Sequence, residues 1–210
     1  MRFKVHSFRH GEAILTGEKY ELVYNELLRI IEGVSEQDLM QMHGSYKTAP
    51  MSLSKAINEV LRDKLVKAGW RKESPIFQDD EYEDERWRLD FAKAPLSIEV
   101  AFNHGEAIAW NLLKPVLASE LNHVKKAIQT EVGIIITATN ALKKSGAFDS
   151  AVGEYEKFLR YLKPLNTVLT VPMVIIGLEP LDSFELKKIR EGSKNTSKII
   201  EKVISKIKNS

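Results

Sequence analysis

The sequence contains no cysteine, and this absence excludes several kinds of chemistry. The chain cannot form disulfides, cannot hold zinc through thiolates and cannot use a cysteine nucleophile. It also lacks any run of about 18 apolar residues, the length at which a segment becomes a candidate transmembrane helix. The first residues, Met1 to Ser7, do not have the pattern of a signal peptide. We therefore expect a cytoplasmic protein, in a reducing compartment, that has no membrane partner.

A large excess of charge of one sign is also missing. The net charge of the 210 residues is +2, which excludes a bulk polycation. The charges are nevertheless segregated, with an acidic cluster at 79–85 and lysine pairs at 125–126, 143–144 and 187–188. This separation permits a basic cleft on a nearly neutral body, although lysine pairs on helices are also ordinary solvated surface.

The hydrophobic pattern predicts an α/β fold. Apolar residues at helical spacing predict helices at 20–34, 52–68 and 107–129, and a C-terminal helical region at 182–210. Continuous apolar runs at 133–138 and 169–178 predict strands covered on both faces, and 139–150 reads as a polar loop. This order of elements predicts a mixed sheet flanked by helices. The length and the 43% hydrophobic content are typical of one soluble domain, which we place over residues 1–210.

Residues 86–102 predict a β-hairpin with one apolar face. Apolar and polar residues alternate along 87–91 and again along 96–102, with a turn at 92–95 between them. Strand side chains alternate between faces, so Asp90, Glu99 and Ala101 share the face outside the core. Facing strands lie about 5 Å apart, and two carboxylates can therefore reach one hard cation, most simply Mg²⁺. A solvated acidic face is the ordinary alternative for such a hairpin.

The hairpin resembles that of the BglII and BstYI group of type II restriction endonucleases, a branch of the PD-(D/E)XK nuclease superfamily. The central match is Asp90-Phe91 followed by Ile98-Glu99-Val100-Ala101-Phe102. Weaker similar fragments occur in the same order at Asn58-Glu59, at 67–70, at 134–137 and at Val171-Pro172. The resemblance spans nearly the whole chain. It implies a restriction-endonuclease-like fold with an αβββαβ core.

The resemblance also implies a reaction and a cofactor. In this group two acids and the carbonyl that follows the second acid hold Mg²⁺, which corresponds here to Asp90, Glu99 and the backbone of Val100. The implied reaction is hydrolysis of phosphodiester bonds in double-stranded DNA, with the metal neutralising the scissile phosphate and acidifying the attacking water. Glu59, on the preceding helix, is either a further carboxylate of this site or a surface partner of Arg62 or Lys55.

Ala101 departs from the family pattern. The superfamily places Lys, Glu or Gln two residues after the second acid, whereas an alanine can neither donate a hydrogen bond nor carry charge. Either the sequence is an inactivated variant, or the polar group comes from elsewhere in the chain. The nearby candidates are Lys55, Lys93, His104 and Lys114.

The resemblance further implies a homodimer that embraces palindromic DNA, with one active site for each strand. The implied DNA contacts lie in the loops after the catalytic strand and after the next parallel strand, with one residue from the other side: Asn103, His104, Asn140, Lys143, Lys144, Ser145 and Lys47. A target centred on GATC and a cognate DNA methyltransferase in the same system are also implied. A noncatalytic DNA-binding protein on a nuclease fold is the alternative that Ala101 favours, and a repair or recombination nuclease without a fixed site is a third.

Overall fold

The computed structural model describes residues 1–120, 123–191 and 194–202. Its centre is a six-stranded mixed sheet with the strand order β1-β6-β5-β4-β3-β2. The strands of this sheet are β1 Phe3–Phe8, β2 Arg71–Pro75, β3 Arg88–Lys93, β4 Leu96–Val100, β5 Val132–Ala138 and β6 Met173–Leu178. The helices are α1 Gly11–Leu15, α2 Glu21–Glu32, α3 Glu36–Ser45, α4 Ser54–Lys67, α5 Ile108–Ser119, α6 Asn140–Ser145 and α7 Tyr155–Leu162.

The pairing within the sheet confirms the predicted mixed architecture. β4, β5 and β6 run parallel, while β3 pairs antiparallel with β4 and the edge strands β1 and β2 are also antiparallel to their neighbours. Every residue of β5 and β6 is buried, because helices cover both faces of the parallel part. The sequence α4-β2-β3-β4-α5-β5 is the αβββαβ core predicted from the resemblance.

Two apolar layers fix the orientation of β4. On one face, Ile98 and Ile134 belong to the core that includes Ile57 and Leu61 of α4. On the other face, Ala101 and Ile135 pack in a layer with α5 and α7. Since side chains alternate along a strand, the odd-numbered residues of β4, including Glu99, are directed toward α5.

The helix before the hairpin ends as its sequence predicts. α4 stops at Lys67, and Gly69 follows with a φ of 84°, a left-handed conformation that glycine adopts without a Cβ penalty. The backbone N–H of Trp70 then donates to the carbonyl of Leu65 at 3.0 Å, which satisfies a terminal carbonyl of the helix. The chain therefore turns directly from α4 into β2, which brings α4 beside the hairpin.

The predicted C-terminal helical region is wrong over the residues that the structure describes. Residues 184–191 and 194–201 instead form two antiparallel strands, β7 Phe184–Glu191 and β8 Lys194–Glu201, which we call the C-terminal hairpin. Phe184 and Leu186 are buried whereas Glu185 and Lys187 are exposed, which is a strand period of two. The prediction for 203–210 lies outside the described residues.

Two further predictions need correction. The helix predicted at 107–129 ends at Ser119, and the segment after it pairs with residues 76–78 through the backbone of Lys125 and Ala127. The predicted loop at 139–150 begins with the short helix α6, because the Thr139 hydroxyl caps it by accepting the N–H of Leu142 at 3.2 Å. In the described ranges, none of the helices has the length and apolar character needed to cross a membrane.

Candidate active site

The two acids of the hairpin lie side by side where its strands separate. β3 and β4 pair from Lys93 opposite Leu96 to Phe91 opposite Ile98, so Asp90 and Glu99 come next on facing strands. The backbone N–H of Val100 donates to Oδ2 of Asp90 at 2.7 Å, and the N–H of Asp90 donates to Oε1 of Glu99 at 3.3 Å. Carboxylates thus accept N–H groups that the strand ladder leaves free, which fixes both side chains.

Burial sets the electrostatics of this pair. Glu99 is 1% exposed, and burial, reinforced by the neighbouring charge of Asp90, raises the pKa of Glu99 well above its usual value. Burial likewise raises the pKa of Asp90, against the opposing effects of the Lys114 ammonium and the Val100 N–H. Burial thus disfavours the charged form of both carboxyls. A bound cation would stabilise that charged form.

Lys114 of α5 contacts the second acid of this pair, Glu99, from the opposite wall of the layer. Its Nζ donates to Oε2 of Glu99 at 2.7 Å, and its side chain is only 10% exposed. Three residues earlier on the same helix face, Asn111 donates through Nδ2 to Oδ1 of Asn103 at 3.0 Å. α5 is therefore joined by polar side chains both to the second acid and to the loop after it.

Ala101 lies buried in the layer between β4 and α5. The prediction that the face with Asp90, Glu99 and Ala101 lies outside the core is therefore wrong for Glu99 and Ala101, because α5 covers this face. Ala101 is 2% exposed, its N–H donates to the carbonyl of Ile136, and its carbonyl accepts the Thr137 hydroxyl. Of the four candidates for the missing polar group, Lys114 contacts Glu99. Lys93 instead donates to Glu26 and to the Ala68 carbonyl, at 2.7 and 2.8 Å.

The two remaining candidates are directed elsewhere. The Lys55 ammonium lies 4.4 Å from the centre of the Tyr46 ring, a cation–π geometry. His104 is exposed in the loop after β4, where its backbone forms a bridge with Val152.

An open cleft of about 460 Å³ leads to Asp90. Its walls come from α4, from β2 and from the hairpin with the loop that follows: Ser54, Asn58, Glu59, Arg62, Lys72, Glu73, Asp90, Phe91, Val100, Phe102 and Asn103. Lys72 was not among the residues predicted from the sequence, because only the pairing of β2 with β3 brings it to the cleft.

Glu59 lies on the wall of this cleft, and its carboxylate is also paired with Arg62 of the same helix. Both interpretations of Glu59 are thus compatible with its position. No group of three or more His, Cys, Asp or Glu side chains placed to hold a metal occurs in the described part of the chain. Glu59 consequently does not complete a trio with Asp90 and Glu99.

The oxygen donors of the hairpin fit a hard divalent cation. Val100 donates to Oδ2 of Asp90, so Oδ1 is the other oxygen of that acid. In Glu99, Oε2 accepts from Lys114 and Oε1 from the Asp90 N–H, and each carboxylate oxygen has a second lone pair for a cation. Carboxylate and carbonyl oxygens are the ligands that Mg²⁺ takes in proteins. Burial also raises the pKa of both acids, so their ionised forms are disfavoured unless a cation is bound.

The predicted DNA-contacting residues lie on three segments of the chain. Asn103 lines the cleft, and its carbonyl accepts the Gly153 N–H at 3.0 Å, which ties this loop to residues 151–153. Asn140, Lys144 and Ser145 belong to α6, where the first two are exposed. Lys47 is exposed in the loop after α3.

Lys143 differs from its neighbour Lys144. Its Nζ donates to the carbonyls of Ser150 and Val152 and to Oε2 of Glu154, at 2.7–2.9 Å. Its side chain is 12% exposed, and that of Glu154 is 8% exposed. Lys143 therefore holds the loop after α6 in place.

The family model "Restriction endonuclease BglII/BglIII" matches residues 3–178. BglII complexed with a DNA 16-mer superposes with a TM-score of 0.65 and 17% sequence identity, over 96% of this chain and 100% of that one. Free BglII superposes with a TM-score of 0.57, 16% identity and the same coverage. No curated protein matches the sequence. These structures confirm the predicted restriction-endonuclease-like fold.

Proposed function

The chain belongs to the BglII/BglIII family of restriction endonucleases, and on this premise we propose that it cuts double-stranded DNA at a short palindromic site with Mg²⁺ as its cofactor. Membership of the family makes it a type II restriction endonuclease. The observation that carries the proposal is the position of Asp90 and Glu99, next to each other on facing strands, with Asp90 and Val100 in the wall of the cleft.

We assign the metal to Asp90, Glu99 and the carbonyl of Val100. When bound there, Mg²⁺ supplies charge neutralisation at the scissile phosphate and lowers the pKa of the attacking water. The hydrogen bonds from Val100 and Asp90 hold the two carboxylates in fixed orientations, so little reorganisation is needed when DNA arrives. Glu59, paired with Arg62, is a further carboxylate on the wall of the cleft.

Hydrolysis needs no covalent enzyme intermediate. The water oxygen forms a bond to phosphorus while the bond from phosphorus to the 3′ oxygen breaks. The water loses a proton, and the leaving 3′ oxygen gains one. The role of the chain is to position the phosphate against the two acids and to limit access of bulk water, and the 1% exposure of Glu99 supports this role.

We propose that two copies of the chain bind one palindrome, because a two-fold protein on a two-fold site delivers one active site to each strand. Asn103, His104, Asn140 and Ser145 are the proposed base contacts, and Lys47 and Lys144 the proposed phosphate contacts. Lys143 supports this surface by holding the loop 150–154. A GATC-centred target, a cognate methyltransferase and action in the cytoplasm complete the proposal.

The test is digestion of phage-sized DNA with the purified protein in Mg²⁺ or in EDTA, followed by sequencing of the ends. We expect discrete fragments with one shared end sequence, formed only in Mg²⁺, and none with Asp90→Asn. Fragments without a shared end sequence would contradict the restriction activity and indicate a repair nuclease.

A noncatalytic DNA-binding protein is the second candidate, and the buried Ala101 is the observation that favours it. On this alternative the protein retards DNA in Mg²⁺ but leaves it intact. If Ala101→Gln then cuts while the unaltered chain does not, the chain is a DNA-binding protein on an intact nuclease framework.

A further inference from the structure

Ala101 and Lys114 lie on the two elements that bound one layer of the protein. Ala101 lies on the α5 side of β4, two residues after Glu99, and residues at that spacing share a strand face about 7 Å apart. Lys114 enters the same layer from α5, where 8% of the residue is exposed. On the strand side of this layer, position 101 has only a methyl group. On the helix side, Lys114 has a long cationic side chain.

We propose that Lys114 supplies, from α5, the charged hydrogen-bond donor that position 101 lacks. This inference rests on the proposed nuclease function. In the working enzyme its ammonium contacts the attacking water and the phosphate oxygen nearest to it. Lys114 acts through its charge and its N–H donors and takes up no proton, so the proton of the water leaves by another path.

The contact between Lys114 and Glu99 is the main support. The two side chains are 10% and 2% exposed, and the distance from Nζ to Oε2 is 2.7 Å. Lys114 also acts electrostatically on Asp90, where it opposes the burial that raises the pKa of that carboxyl. The ammonium is therefore in direct contact with the second acid of the proposed metal site and acts on the charge of the first.

The surroundings of Lys114 argue against a purely structural role. Apolar residues of similar volume often stabilise a protein as well as a buried ion pair does, so stability alone does not require this lysine. The helix is also held closely to the sheet beside it, because Pro115 packs against the backbone at Gly133. Asn111, one turn earlier, fixes the same helix face to Asn103. Lys114 is consequently pre-positioned at the pair of acids.

The experiment compares three variants with the unaltered chain. Lys114→Met removes the charge and keeps most of the stem. Lys114→Ala combined with Ala101→Lys moves the lysine from the helix to the strand. Lys93→Met is the matched control, because it removes a lysine of the hairpin itself, whose ammonium is bound to Glu26 at 2.7 Å, outside the cleft. Each protein is assayed for Mg²⁺-dependent DNA cutting, for Ca²⁺ binding by calorimetry and for thermal unfolding.

We expect Lys114→Met to cut at least about 100-fold more slowly, which is the effect of losing a group that stabilises charge in a transition state. Its Ca²⁺ affinity should be equal or higher, since a neighbouring positive charge is gone. The relocated lysine should restore at least about a tenth of the rate, as the same donor reaches the same place. Lys93→Met should cut at the rate of the unaltered chain.

The other outcomes overturn specific claims. If the unaltered chain and Lys114→Met cut equally fast, the lysine proposal fails and the nuclease function stands. If Lys114→Met loses Ca²⁺ binding together with cutting, and the relocated lysine restores neither, the residue only maintains the metal site and the proposal fails. If neither the unaltered chain nor the variant with the relocated lysine cuts any DNA, the nuclease function fails and the lysine proposal with it.

Discussion

Oδ2 of Asp90 accepts the backbone N–H of Val100 at 2.7 Å, across the opening between β3 and β4. One acid of the pair is thus held by the strand that carries the other. Asparagine can accept the same hydrogen bond through its carbonyl oxygen but carries no charge. Substitution of Asp90 by asparagine therefore separates the geometry of the hairpin from its charge.

We predict that Asp90→Asn abolishes DNA cutting and lowers the affinity for Ca²⁺ at least roughly tenfold, because a hard cation loses a charged ligand. Thermal unfolding without metal should occur at the same or a higher temperature, since burial raises the pKa of Asp90 and so disfavours its charged form. Calorimetry, plasmid cutting and thermal unfolding measure these three quantities.

Asp84→Asn is the matched control for this substitution. Asp84 is an exposed acid near the start of β3 that pairs with Arg86 at 2.9 Å, away from the cleft. It should keep both cutting and Ca²⁺ binding. Cutting by Asp90→Asn at the rate of the unaltered chain would remove the first acid from the proposed site.

Glu36 anchors the start of the C-terminal hairpin. Its carboxylate accepts the backbone N–H groups of Asp182 and Ser183 and the hydroxyl of Ser183. Burial alone raises the pKa of Glu36, but these donors outweigh it and the pKa is lowered. A carboxyl with a lowered pKa in the folded state contributes stability above its unfolded value of about 4.3 and loses it as pH falls through the folded value.

We predict that Glu36→Ala lowers the free energy of unfolding by about 1–2 kcal/mol at pH 7, as hydrogen bonds to a charged group are lost. The difference from the unaltered chain should shrink as the pH falls below about 4. Urea unfolding at several pH values measures this. Glu18→Ala, an exposed glutamate in the turn before α2, should show no such dependence. A deficit that stays constant down to pH 3 would rule out the carboxylate as its source.

The hairpin with its two acids could be predicted because the necessary signal is local. A period of two over residues 87–102 assigns Asp90 and Glu99 to one face, and an antiparallel register then places them opposite each other. The contact with Lys114 spans 15 residues and depends on how α5 packs on the sheet. From the sequence alone, the four candidates for the missing polar group therefore cannot be ranked.

The C-terminal hairpin was missed because its apolar residues fit two periods. Ile199 and Ile200 belong to an apolar stripe that also fits a helix when residues beyond 202 are included. Tertiary contacts decide in favour of strands: Ser197 of β8 donates to the Pro50 carbonyl, at 2.6 Å, and contacts His43. Similarly, no local pattern shows that Lys143 turns inward while Lys144 remains exposed.

Lys144 should act on DNA affinity alone. It is exposed on α6, whereas the three donors of Lys143 are directed at its own loop. We predict that Lys144→Ala weakens DNA binding and reduces the slope of log affinity against log salt by about one unit, as one phosphate contact is lost. The unfolding temperature should not change. Filter binding in Ca²⁺ at several salt concentrations measures the slope.

Glu154→Ala should lower the stability of the protein and leave the salt dependence of its DNA binding unchanged. It leaves the ammonium of Lys143 buried without its carboxylate and should lower the free energy of unfolding by about 3–5 kcal/mol. The salt slope of the DNA affinity should remain that of the unaltered chain, because no phosphate contact is removed. If Lys144→Ala destabilises the protein and Glu154→Ala changes the slope, the two lysines have been assigned the wrong roles.

Gly133 sets the distance between β5 and the helix that carries Lys114. A Cβ at this position would lie 2.5 Å from Cβ of Pro115, and Pro115 directly follows Lys114. We predict that Gly133→Ala lowers the free energy of unfolding by about 1–3 kcal/mol, the usual effect of overpacking a close-packed layer. It should also slow DNA cutting, because α5 must move outward and carry the ammonium away from Glu99.

Gly44→Ala is the control for this change. Gly44 lies within α3, and a Cβ there would have no atom within 4 Å, so alanine should stabilise the protein by up to about 1 kcal/mol through its higher helix propensity. Cutting should be unaffected. Restoration of cutting in Gly133→Ala by Pro115→Ala, which removes the atoms nearest the new methyl group, would trace the defect to the contact between the helix and the strand. Failure of that second change to restore any activity would mean that Gly133 does not act through α5.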